Sequence, residues 1–136
     1  MKIRWNRTGV RFRITPSELD ALVRSEAIHE ELMLPGGNWR AAILPGGDAT
    51  RISLNEGCLR LLLAPADRDR LAAPETEGVY FTMETDDPAR PLLRYYVEKD
   101  FPCAHPRPAE AAEPPSETFP APCAQVTTKK EHGTHE

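Results

Sequence analysis

The sequence predicts an α+β fold of mostly antiparallel strands with two short helices, arranged as a pseudo-duplicated ββαββ curved sheet or a small barrel. Three observations carry that expectation. Short runs alternate apolar and polar residues with the period of two that marks a strand buried on one face. Two prolines, Pro16 and Pro65, stand where helices begin. The order strand, strand, helix, strand, strand then occurs twice, with Leu22 and Leu71 at the same offset as the two prolines. The 14 prolines among 136 residues also divide the chain. Seven lie between Pro16 and Pro91, and the other seven crowd between Pro102 and Pro122. Each removes a backbone donor and fixes φ, so the second group does not suit a packed core. Residues 1–103 are expected to form a single globular α+β domain, and residues 104–136 a disordered Pro/Ala-rich tail.

The elements follow in order. Ile3 and Trp5 alternate with Lys2, Arg4 and Asn6; after a turn at Arg7-Thr8-Gly9, Val10, Phe12 and Ile14 alternate with Arg11 and Arg13. Two such runs so close in sequence make an antiparallel hairpin. Thr15-Pro16-Ser17-Glu18 reads as a capping box. In it the Thr15 hydroxyl accepts from the Glu18 amide, and the Glu18 carboxylate accepts from the Thr15 amide. Pro16 suits the first helical position, and Leu19, Leu22 and Val23 make one apolar stripe, giving a helix over about residues 16–25. Residues 27–34 read as a strand, and Trp39, Ala41 and Ile43 mark the next. Pro35-Gly36-Gly37 and Pro45-Gly46-Gly47 read as hairpin turns. Ile52 and Leu54, the turn Asn55-Glu56-Gly57, and the run Cys58 to Leu63 form another hairpin, with Gly57 in the place of Gly9. Pro65 opens the second helix. The alternations Val79, Phe81, Met83 and Leu93, Tyr95, Val97 supply the last two strands. The expected core draws on Ile3, Trp5, Val10, Phe12, Ile14, Leu19, Leu22, Ile52, Leu61, Val79, Phe81, Tyr95 and Val97.

Composition narrows the function classes. The chain carries 17 Lys plus Arg against 21 Asp plus Glu, a net charge of −4. Neither body nor tail has the basic excess that drives non-specific nucleic-acid binding, which argues against that partner. No run of about 18 apolar residues exists, so no membrane helix is expected. The charged opening Met1 to Arg7 leads into no apolar stretch, which argues against a secretory signal. Cys58, Cys103 and Cys123 form no disulfide framework, and a reducing, cytoplasmic setting is expected. Open strand edges would suit a homodimer or a protein partner.

Three stretches carry a resemblance: Met1-Lys2-Ile3-Arg4, Val10-Arg11-Phe12-Arg13-Ile14-Thr15-Pro16-Ser17-Glu18, and Val97-Glu98-Lys99-Asp100-Phe101-Pro102-Cys103. Together they resemble a family of short, uncharacterised bacterial proteins. Its members open on an Arg-flanked strand running into Thr-x-Ser-Glu and close the folded part on Glu-Lys-Asp-Phe-x-Cys. The resemblance spans residues 1–103 and implies no activity, because the family has none to carry over.

Two groups of side chains offer chemistry. Glu98, Asp100, Cys103 and His105 lie within eight residues and supply the common metal-ligand types, with zinc the first metal to expect. Cys-x-His is not a standard zinc spacing, however, and the alternative has Phe101 closing the core while the charges stay in water. His132 and His135 with Cys123 could hold a metal loosely, or simply form a solvated end. The second group is Lys2, Arg4, Arg11 and Arg13, on the outward faces of the first hairpin, which could bind an anion or a phosphate backbone. Tyr80 and Tyr96 would add stacking surfaces if their strands lie nearby. Glu30, Glu31, Glu84 and Glu98 are the acids that could instead neutralise those cations across strands. No nucleotide-binding loop, nucleophile elbow or His-Glu-x-x-His occurs, and His29 has no nucleophile beside it. The leading expectation is a small cytoplasmic binding or interaction module without catalytic activity. The alternatives are a metal- or redox-responsive protein using residues Glu98 to His105, and a phosphate or nucleic-acid binder using the basic hairpin.

Overall fold

Lys2–Asn6 (β1) and Gly9–Ile14 (β2) pair antiparallel, with Lys2 opposite Arg13 and Asn6 opposite Gly9. Asn6 holds the turn, its Oδ1 accepting from the Thr8 and Gly9 amides at 2.9 and 3.0 Å. The capping box then starts a helix, Pro16–Val23 (α1), with both reciprocal bonds of Thr15 and Glu18 formed. The chain continues as Ile28–Leu34 (β3), Gly37–Pro45 (β4), Arg51–Asn55 (β5), Cys58–Leu63 (β6), Pro65–Ala72 (α2), Gly78–Met83 (β7) and Leu93–Lys99 (β8). The computed structural model describes residues 1–83, 87–89, 92–102 and 117–120.

The eight strands form two four-stranded sheets, ordered β1-β2-β8-β7 and β3-β4-β6-β5. Four pairings are antiparallel, and the two central ones, β2 with β8 and β4 with β6, are parallel. The fold is thus α+β and mostly antiparallel, with two sheets in place of a closed barrel. Each helix carries the chain from one sheet to the other, and the helices pack on each other. Both sheets feed one core, in which Phe12, Ile14, Leu22, Ile43, Leu61, Leu63, Leu71 and Val97 are fully buried. None of the helices among the described residues is long and apolar enough to cross a membrane.

The repeat is visible in the registers. The pairs Lys2↔Arg13 and Arg51↔Leu62 are the same pair displaced by 49 residues, and α1 and α2 share that displacement. The parallel pairs Gly9↔Arg94 and Cys58↔Arg40 correspond likewise, with β4 and β8 displaced by 54 residues. This operation maps one sheet onto the other. Each sheet therefore combines one hairpin from each half of the chain, and the halves are interlocked rather than side by side.

Three expectations change. Register puts Cys58, not Gly57, at the place of Gly9. Pro45-Gly46-Gly47 is not a hairpin turn, because β4 pairs with β6 and the chain must cross to the far edge of the sheet to begin β5. Trp5 is not a core residue: it faces inward at the end of an edge strand and remains 73% exposed. Ile3, Ile52 and Phe81 pack against the core while only partly buried.

The helix starts also differ in a telling way. At α2 the N-cap is Ala64, which has no side chain to cap with. Thr50 substitutes from a distance: its hydroxyl accepts from the Ala64 amide at 3.0 Å and donates to Asp67. The repeat places Met1 and Glu18 where Thr50 and Asp67 stand, and the α-amino group of Met1 lies 2.8 Å from the Glu18 carboxylate. Thr15→Ala should cost about 1 kcal/mol, the usual worth of a cap. Thr50→Ala should cost about 1–3 kcal/mol, because it strands a buried amide. Urea denaturation midpoints of the two variants check both values.

Part of the expected tail is in place against the body. The Phe119 amide donates to the Asp100 carbonyl at 2.8 Å, and its ring lies 6.0 Å from that of Phe101. The Ser17 hydroxyl donates to Glu117 at 2.7 Å.

Candidate functional site

Helices α1 and α2 leave from the C-terminal ends of β2 and β6. At the opposite end of the sheets no helix among the described residues covers the inner faces, and β1 and β5 finish there while β4 and β8 begin. A cavity of about 420 Å³ opens at that end. Its apolar walls come in pairs related by the repeat: Trp5 with Leu54, Val10 with Leu59, and Leu93 with Trp39. The cavity therefore straddles the pseudo-two-fold axis. Trp5 and Leu54 are 73% and 72% exposed, and Met83 at the mouth is 40% exposed. Asn6 and Ser53, at strand positions that alternate with the inward ones, border it. The turn fixes the orientation of the Asn6 amide, since its Oδ1 takes the two backbone donors.

The cavity was not legible in the sequence. Trp5 and Trp39 alternate correctly for inward-facing strand positions, and for Trp5 that pattern reads as core. The one available signal was their position beside turns, at strand ends, where a large side chain finds fewer neighbours.

The residues predicted from sequence are placed as follows. Glu98 lies on the outward face of β8, in register with Arg13, with its Oε2 4.0 Å from Arg13 Nε. Asp100 is buried and lies 3.1 Å from Lys2 Nζ. The two carboxylates of the metal candidate thus sit beside two cations of the anion candidate. Cys103 and His105 lie outside the described residues, as do Glu84, Cys123, His132 and His135. Among the described residues, no three His, Cys, Asp or Glu side chains converge as a metal site would require. His29 is exposed on β3, in register with Ala42. The α-amino group of Met1 takes Glu30, at 2.8 Å, away from any role in neutralising the hairpin arginines.

Arg4 and Arg11 are in register with each other, and Arg11 is in register with Tyr96, which pairs with Tyr80. The Arg11 guanidinium lies 5.4 Å from the centre of the Tyr96 ring, and the two tyrosine rings meet edge to face at 5.1 Å. Burial raises the pKa of the Tyr80 phenol, with Glu98 and Glu77 adding to the shift. Lys99, on the opposite face of β8, is buried and donates to the Ala73 carbonyl at 2.9 Å. Burial lowers its pKa from the usual lysine value.

No curated protein and no solved structure matches this chain. A family model does match, over residues 1–123, and so reaches past the body to include the docked segment at Phe119. The chain belongs to DUF7009, a family of unknown function.

Proposed function

We propose that this domain is a small binding module, without catalytic activity, that takes an apolar molecule into the cavity between its sheets. The observation that carries the reading is the open-ended cavity itself, walled by Trp5, Trp39, Leu54 and Leu59. Its volume of about 420 Å³ falls within the range of roughly 300–1,000 Å³ typical of small-molecule sites. Large apolar side chains left in water at its mouth are a cost that a bound apolar group would remove. Cysteines without framework spacing support a reducing, cytoplasmic setting.

The test uses a built-in reporter, because both tryptophans of the chain line the cavity. Titration with the apolar dye anilinonaphthalene sulfonate should give saturable energy transfer from tryptophan with one site per chain. Leu54→Glu puts a negative charge at the exposed mouth, unfavourable both to an apolar ring and to the sulfonate, and should weaken binding at least tenfold, about 1.4 kcal/mol, with the fold intact. Absence of saturable transfer, or undiminished binding by Leu54→Glu, rejects the reading.

A further inference from the structure

The repeat supplies an internal control. Because one sheet maps onto the other, features shared by their outer faces belong to the scaffold, and features on one face alone call for another explanation. Three cation positions are shared: Lys2 with Arg51, Arg11 with Arg60, and Arg94 with Arg40. The β1-β2-β8-β7 face then departs from its counterpart. It has Arg4 where the other has Ser53, and Arg13 where the other has Leu62. It has Tyr96 and Tyr80 where the other has Ala42 and His29.

The result is a continuous row, Arg4-Arg11-Tyr96-Tyr80, crossing all four strands, with Arg94 and Arg13 on the flanking rows. Tyr80 is 55% exposed. Among the outward strand residues of this face, Glu98 is the one carboxylate, with Glu77 just ahead of β7 and Asp100 beneath Lys2. The net charge of −4 argued against nucleic acid, but many of the acids lie elsewhere, among them Glu18, Asp20, Asp67 and Asp69 on the helices. Local charge, not total charge, sets attraction over a Debye length of about 10 Å.

We propose that this face binds single-stranded nucleic acid, with Arg4, Arg11 and Arg94 meeting phosphates and Tyr80 stacking on a base. Guanidinium groups beside exposed aromatic rings are the combination that single strands need. A duplex fits less well, since three strand spacings of about 4.8 Å make the face wider than a major groove of roughly 12 Å. The residues are distinct from those lining the cavity, so this inference stands or falls separately from the proposed ligand site.

The test is fluorescence anisotropy of a labelled oligothymidylate of about 20 nucleotides, longer than the roughly 4–16 that a single OB fold, a domain of similar size, occupies. Binding at about 50 mM salt is expected, with a slope near −2 for log K against log salt, from about 0.7 per phosphate contact and three arginines. The double variant Arg11→Gln, Arg94→Gln should lose at least tenfold in affinity and flatten the slope. The counterpart Arg40→Gln, Arg60→Gln should stay within about twofold of the parent, since it alters only the opposite face. Tyr80→Ala should lose about five- to one-hundred-fold. Thermal melts show that each variant is folded. No binding at low salt, equal losses in both arginine pairs, or an unaffected Tyr80→Ala would each overturn the proposal.

Discussion

Cleaved between Gly47 and Asp48, the chain is expected to give two fragments that are unfolded separately and fold when mixed. That junction is exposed and lies between the two repeats, so a cut removes no hydrogen-bonded strand. The consequence comes from topology. In the first half, β1-β2 and β3-β4 belong to different sheets, and each needs a hairpin from the second half to complete its parallel centre. An isolated two-stranded hairpin is marginal in water. Each fragment also retains only part of the core, leaving Phe12 without Val97 and Ile43 without Leu61. Circular dichroism of each fragment, and then of the equimolar mixture, reads the outcome. A fragment that folds as a monomer contradicts the interlocked arrangement. One that folds only as a dimer agrees with it, because the second copy supplies the missing hairpins.

Phe12→Ala and Leu61→Ala should each destabilise the domain severely, by about 3–5 and 2–5 kcal/mol respectively. The two residues are repeat equivalents, both fully buried and central in their sheets. A domain of this size holds about 5–15 kcal/mol in total, so either change leaves a substantial unfolded population or none folded at all. The loss combines burial of the side chain with the cavity left behind, and strands held by pairing within each four-stranded sheet have little room to relax. Trp5→Ala is the matched control: a larger side chain is removed, but from a position 73% exposed, so the cost should be well below that of Phe12→Ala. Urea denaturation of the three variants compares them directly. A Trp5→Ala as damaging as Phe12→Ala would mean that the open end is a closed part of the core.

Local chemistry was legible in the chain itself. Thr15, Pro16 and Glu18 specify the start of α1 because capping depends on residues within one turn. Alternation in Val10, Phe12 and Ile14 specifies which side chains turn inward, because the strand period is two whatever the neighbour. The repeat was legible too, since Pro16 and Pro65, and Leu22 and Leu71, keep one spacing. The acids and bases of the two candidate groups are read directly from the sequence, yet their mutual neutralisation, Arg13 beside Glu98 and Lys2 beside Asp100, joins residues that are 85 and 98 positions apart.

The sequence by itself thus determined the strands and the start of α1, which arise from interactions between near neighbours, and showed the twofold plan as a recurring spacing; the cap of α2 came from Thr50, outside its own helix. Tertiary structure alone decided which hairpins share a sheet. Parallel pairing of Gly9 with Arg94 and of Arg40 with Cys58 leaves no local signature, because any inward-facing strand of suitable length can offer the same backbone groups. The same long-range choice turned Trp5 from an expected core residue into a cavity wall opposite Leu54, and brought Arg11 against Tyr96 to make one face unlike its twin.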